Sequence, residues 1–178
     1  MRQIYTRSFY PGRFQPFHKG HFHAIKYVLD MSREVVIGVT AAQFNFLKDN
    51  PFTAGERVEM VKLALGDEHY RRCYVIPLDN VTDNAEWLSM VESKVPRFEA
   101  VFTNNVLVEL LAKRKGYKVH NIPFKDRENL KGSKIQELMA SEKPWRHLIP
   151  EPVARFIDEI DGEERIRKLY KAERIPLP

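Results

Sequence analysis

Short apolar runs and helical patterns alternate along this chain. Ile4–Tyr10 carries β-branched and aromatic residues and reads as a first strand. The Pro11-Gly12 turn signal and a loop to His18 follow, and then Phe22, Ile25, Val28 and Leu29 recur at helical spacing over Gly20–Leu29. Glu34–Thr40, EVVIGVT, is the near-continuous apolar run of a strand buried on both faces. A second helix starts after Thr53, whose spacing to Glu56 fits a capping box, with Val58, Val61, Leu63 and Leu65 on its apolar side. Strands are expected at Cys73–Ile76, Ala100–Thr103 and Lys118–Ile122, separated by helices at Ala85–Val95 and Val106–Lys115, the latter ended by Gly116. Strand and helix thus alternate about five times, which makes an open parallel α/β sheet with helices on both faces the economical fold. Beyond Phe124 only helical patterns remain, at Lys134–Ala140, Pro152–Ile160 and Glu163–Tyr170, with Pro152 suited to a first turn. Residues 1–124 form the expected core, and 125–178 a helical cap of the same domain ending in a poorly ordered tail from Arg174.

Composition narrows the class without choosing a function. A chain of 178 residues, 43% hydrophobic, buries roughly 70% of its unfolded surface and needs no disulfide or metal to hold a core. Mean hydropathy is −0.44, and no stretch approaches the ~20 apolar residues of a membrane span. The opening residues, Met1 to Arg7, hold no apolar run long enough for a signal peptide. Cys73 is the single cysteine. These features favour a cytoplasmic protein without a membrane partner. The net charge of +5 suits an anionic partner, but acids interrupt the basic residues and no basic block forms, so nucleic acid is not the expected one.

The informative segment is the loop Gly12-Arg13-Phe14-Gln15-Pro16-Phe17-His18-Lys19-Gly20-His21, between the first strand and first helix. Open α/β sheets bind ligands beyond their strand ends, and a helix N-terminus there offers free amides and a positive dipole end to phosphate. His18 and His21, three apart, can present ring N–H groups on one side, and Gly20 lets the backbone approach a phosphate. With six histidines and eight glycines in the chain, His-x-Gly-His arises by chance about once in a hundred such sequences. Against this stand local helix capping by the two histidines, and a zinc site with His23, which shares no helical face with both.

GRFQPFHKGH resembles the HxGH signature of the nucleotidyltransferase superfamily, and the wider pattern is similar to the archaeal type of nicotinamide-nucleotide adenylyltransferase. Matching segments include Ala42-Gln43, NPFTAGER at 50–57, Asp83-Asn84 with Trp87, Val95–Phe98, Asn104-Asn105 with Leu107-Val108, and the stretch from Gly162 to Ile166. The resemblance implies a Rossmann-like sheet and transfer of AMP from ATP to nicotinamide mononucleotide, giving NAD and pyrophosphate with Mg²⁺. It implies that His18, His21 and Arg13 act at the transferred phosphates, assisted by Gly12, Phe14, Gly20, Ser133 and Lys134. It also places Asn84 and Trp87 at the nicotinamide end. A phosphomonoester is largely dianionic at pH 7, so such a reaction needs no general base, only alignment and charge stabilisation.

Two stretches depart from the pattern. The family's Ser-x-Thr-x-Ile-Arg near a late helix is here Gly132-Ser133-Lys134-Ile135-Gln136, so Gln136 replaces an arginine and Lys131 or Lys134 is left to supply charge. Ser133 has a second reading as a plain helix cap. Between Gln43 and Pro51, a stretch commonly containing Ser-His is replaced by Phe44–Asn50. Its aromatics suit core packing, a lid or a contact in a homo-oligomer, and Lys48 suits a phosphate. Trp87 reads equally as core, Asp79 and Asp83 are weak Mg²⁺ candidates, and Arg57 is expected to anchor its loop by ion pairing. Other acceptors, such as nicotinate mononucleotide or another phosphomonoester, and a non-catalytic nucleotide- or RNA-binding module remain as rivals.

Overall fold

The computed structural model describes residues 4–123, 126 and 128–172. Five strands, β1 (Tyr5–Gly12), β2 (Ser32–Val39), β3 (Cys73–Pro77), β4 (Ala100–Phe102) and β5 (Lys118–His120), form one sheet in the order β3-β2-β1-β4-β5. Every pairing is parallel. Between them run α1 (Lys19–Met31), α2 (Ala54–Tyr70), a 3₁₀ turn at Asn84–Glu86 leading into α3 (Trp87–Lys94), and α4 (Val106–Arg114). The expected α/β Rossmann-like sheet is therefore present, with strand ends shifted by one or two residues.

Alternation within the central strands divides the core. Phe9 lies in register with Val36 on one side and Val101 on the other, and all three pack beneath Trp87, Leu88, Val91 and Ala112 of α3 and α4. Their neighbours Tyr10, Val35, Ile37, Ala100 and Phe102 face the opposite way, into a cluster with Ile25 and Val28 of α1 and Met60 and Val61 of α2. Strands buried on both faces cannot alternate apolar with polar, which is why EVVIGVT reads as a continuous run.

The C-terminal part is α5 (Gly132–Ala140), a 3₁₀ turn at Arg146–Leu148, α6 (Glu151–Glu159) and α7 (Gly162–Ala172). Ile135, Met139, Val153, Ile157 and Ile166 join the same cluster as Ile37 and Val28, so these helices share the sheet's core. A bidentate pair from Arg165 to Glu56, at 2.7 and 2.8 Å, ties α7 to the start of α2. The 124/125 boundary and the tail from Arg174 lie outside the described residues. Among the described residues no helix is long and apolar enough to cross a membrane.

Candidate active site

The chain turns in opposite senses after β1 and after β4, which are neighbours in the sheet. The crevice outside their carboxyl ends is the switch point where open α/β sheets place ligands. A cleft of about 580 Å³ opens there. The loop after β1 contributes Gly12, Arg13, Phe14 and Gln15, and the start of α1 contributes His21. Thr40, Ala41 and Asp49 come from the segment after β2, Asn80, Val81, Asn84 and Trp87 from that after β3, and Asn105 and Leu107 from that after β4. Lys131, Gly132, Ser133 and Gln136, at the head of α5, complete the wall.

Of the ten residues to which the resemblance gives a role, seven meet in this cleft: Gly12, Arg13, Phe14, His21, Ser133, Asn84 and Trp87. Three are placed elsewhere. His18 is buried, at 6% exposure, and its ring stacks behind His21 with centroids 3.7 Å apart. Gly20 is not part of the lining, and a Cβ there would meet the His18 ring at 3.0 Å and Leu130 at 3.2 Å. Lys134 lies outside the lining, exposed, with its ammonium 4.0 Å from Glu137; Lys131, one helical turn earlier, occupies the wall in its place. Gly12 lines the cleft, but its missing Cβ also makes room for the Phe14 ring, at 2.7 Å.

Tautomer and charge follow from the local bonding at His21. The amide of His18, N-cap of α1, donates to His21 Nδ1 at 3.2 Å. A neutral imidazole that accepts at Nδ1 carries its proton on Nε2. Burial, reinforced by the adjacent His18, holds the His21 pKa well below its ordinary value. Burial lowers His18 to about 4. Both rings are therefore neutral at pH 7, and His21 offers the cleft an N–H donor without a positive charge. Among the described residues no partner meets His18 Nδ1. Phe14, at φ 52°, turns the loop beneath these rings and contacts His21 edge-on at 4.7 Å.

Ser133 is the second residue of α5, whose N-cap is Lys131, so the serine does not cap the helix. Gln136, where the family pattern has arginine, is 3% exposed and donates from Nε2 to the Gln15 carbonyl at 2.6 Å. Gln15 in turn brackets Phe52, accepting from its amide at 3.0 Å and donating to its carbonyl at 2.9 Å. Two neutral amides thus lace α5, the β1–α1 loop and the entry to α2 together, and neither supplies charge. Among the described residues Arg57 makes no ion pair of the kind expected; its guanidinium is buried against main-chain carbonyls. Trp87 is packed into the core, at 8% exposure against Phe9, and also lines the cleft.

Asp79 and Asp83 are not part of the lining; Asp83 instead caps the 3₁₀ turn by accepting from the Ala85 amide at 2.8 Å. Lys48 lies over the Tyr170 ring, its ammonium 5.1 Å from the centroid. Phe44, Phe46 and Leu47 are exposed rather than packed into the core, and Phe46 covers the Arg165 guanidinium. Sequence reasoning passed over Gln15, Thr40, Asp49 and Asn80. Of these, only Gln15, inside the matched GRFQPF stretch, carried a local signal.

A family model described as cytidylyltransferase-like matches residues 9–138. The nicotinamide-nucleotide adenylyltransferase of Pyrococcus furiosus is 46% identical over 166 residues, covering 92% of this chain and 88% of that protein. The protein of the same name from Thermoplasma acidophilum is 42% identical over 163 residues, covering 92% and 91%. Among solved structures, a bifunctional NMN adenylyltransferase/ADP-ribose pyrophosphatase from Francisella tularensis, complexed with AMP and an Mn ion, matches with TM-score 0.76 and 18% identity. That match covers 93% of this chain but 52% of the Francisella chain, so this chain spans about half of its length and shares its fold.

Proposed function

The chain belongs to the cytidylyltransferase-like family, and from that premise we propose that it is a nicotinamide-nucleotide adenylyltransferase, moving AMP from ATP to the phosphate of nicotinamide mononucleotide. The observation that carries this reading is the composition of one cleft. Donors suited to phosphate (Arg13, His21, Lys131 and Ser133) share it with the Asn84 amide and the edge of the Trp87 ring.

A phosphate oxygen of the mononucleotide attacks the α-phosphorus of ATP. A new P–O bond forms, the bond between the α-phosphorus and its bridging oxygen breaks, and pyrophosphate leaves with the electron pair. The acceptor is already dianionic at neutral pH, so no proton has to be removed. The protein aligns two polyanions and stabilises the charge that gathers on the leaving group. His21 donates from Nε2, Arg13 and Lys131 supply positive charge, and Ser133 adds a hydroxyl at the amide-rich start of α5. His18 acts from behind, holding the His21 ring by stacking.

The donor set fits a divalent cation that arrives with the nucleotide. Asp49 is the acidic side chain in the wall, and among the described residues no group of three His, Cys, Asp or Glu could hold an ion alone. Mg²⁺, which keeps waters and binds through one or two carboxylates and substrate phosphates, suits such a cleft. When bound it neutralises phosphate charge. The exposed Phe44, Phe46 and Leu47 suit contact with a second copy of the chain, which light scattering on the purified protein reads directly.

The test mixes protein, ATP, Mg²⁺ and nicotinamide mononucleotide and measures NAD, with nicotinate mononucleotide and other phosphomonoesters in parallel. NAD formation with matching pyrophosphate release is the expected result. Faster turnover of another acceptor would reassign the substrate. Oligonucleotide binding that weakens steeply with salt, without turnover, would favour the RNA-binding alternative.

A further inference from the structure

Among the described residues Arg57 is the fully buried arginine, and this mechanism leaves it unused. It is 0% exposed and leads the fully buried side chains by volume. Its guanidinium is spent on main-chain carbonyls: Nη1 donates to Arg13 at 3.0 Å and to Thr40 at 2.7 Å, Nη2 to Ala41 at 3.2 Å, and Nε to Thr53 at 3.3 Å. Arg13, Thr40 and Ala41 all line the cleft. They belong to different loops, one after β1 and one after β2, which no strand pairing joins at that level except the bond from the Thr40 amide to the Gly12 carbonyl.

Burying a guanidinium without a carboxylate is costly, and partial charges on carbonyl oxygens offset that cost only in part. Burial and the like charge of Arg13 lower the Arg57 pKa to about 10, so it stays protonated at pH 7. The fork of a guanidinium is the group that can hold several carbonyls in fixed directions at once; an ammonium of similar reach is a point charge.

We propose that Arg57 is a positioning residue for adenylyl transfer: from behind the cleft wall it holds the backbone of Arg13 against the Thr40–Ala41 turn, aiming the Arg13 side chain, and its charge, which meets no carboxylate among the described residues, is balanced when a polyphosphate occupies the cleft. The proposal rests on the adenylyltransferase reading for its turnover arm, but its nucleotide-binding arm does not depend on which acceptor is used.

The experiment compares Arg57→Lys and Arg57→Met with the wild type by NAD formation, by calorimetric titration with ATP, and by thermal unfolding. Arg57→Lys keeps the charge and loses the fork, so kcat is expected to fall at least tenfold while the Kd for ATP changes less than about threefold. Arg57→Met loses both, so kcat falls about a hundredfold and ATP binds at least tenfold more weakly. If Arg57 served stability alone, activity per folded molecule measured well below each melting temperature would be that of the wild type, and so would the ATP affinity. That outcome in either folded variant overturns the proposal. Should Arg57→Met not fold, Arg57→Gly titrated with guanidinium replaces it: turnover per folded molecule that rises with guanidinium supports the assignment, and wild-type turnover per folded molecule at every guanidinium concentration overturns it. A wild type that binds ATP but makes no NAD sinks the acceptor assignment instead, and the ATP affinities of the variants still decide the role of Arg57.

Discussion

At the scale of single residues, His21 has two separable tasks. Nδ1 caps the amide of His18, and Nε2 is the donor free for the cleft. Asparagine places an acceptor near the position of Nδ1, whereas glutamine places a donor near that of Nε2. His21→Asn is therefore expected to lower kcat by about 10²–10³, the usual cost of a lost transition-state donor, with little change in melting temperature. His21→Gln should retain more activity while losing about 1 kcal/mol of stability with the cap, measured by urea unfolding. The neutral rings also make stability depend on pH. His18 titrates near 4 in the folded protein and near 6.5 unfolded, so between those values the unfolded chain binds more protons and stability falls as pH falls. For His18 alone the loss from pH 7 to pH 5 is about 2 kcal/mol, and His21 adds to it with the same sign. Urea midpoints that do not drop over that interval would contradict the neutral pair. The sequence reveals that two histidines and a glycine stand together at a helix entry. It does not reveal that a side chain at Gly20 would collide with the His18 ring and with Leu130, because that depends on where a residue more than a hundred positions later arrives in the fold.

At the scale of elements, local rules read well where a motif is self-contained. The Thr53–Glu56 box closes as expected, with the Glu56 amide donating to Thr53 Oγ1 at 3.2 Å and the Thr53 amide to Glu56 at 2.8 Å. Gly116 ends α4 at φ 83°. They read less well where a face is shared. The apolar stripe on α2 suggests Val58, Val61, Leu63 and Leu65, yet the buried face is Arg57, Met60, Val61 and Leu65. A guanidinium occupies a core position because the loops it meets present carbonyls there. The start of α5 was likewise displaced, from Lys134 to Gly132, which moves Ser133 from cap to wall. Ser133→Ala should therefore change stability by less than about 0.5 kcal/mol while raising the KM for ATP severalfold in steady-state kinetics. Thr53→Ala, which removes a genuine cap, should cost about 1 kcal/mol in unfolding. Equal destabilisation by the two substitutions would return Ser133 to a capping role.

At the scale of the whole molecule, one cleft is assembled from segments more than a hundred residues apart, and the head of α5 forms one of its walls. The Gln136 bond to Gln15, the Arg165 pair with Glu56 and the Arg165 bond to the Pro51 carbonyl are polar ties between the C-terminal helices and the rest of the fold. Arg165→Met removes a half-buried, charge-assisted pair and is expected to cost about 2 kcal/mol by denaturant unfolding, with kcat little changed because Arg165 does not line the cleft. A large loss of kcat with unaltered stability would mean that α7 does more than brace α2. From the chain alone came the alternating parallel architecture, the helical C-terminal part and the position of the histidine–glycine loop between β1 and α1, because each is written in short-range periodicity or in a contiguous motif. Tertiary structure alone decided which imidazole faces the cleft, that Gln136 is a tie and not a stand-in for charge, and that Arg57 sits behind the wall. Those outcomes depend on carbonyls and side chains delivered by other loops, and a donor's partner across the fold leaves no mark in its own neighbourhood of the sequence.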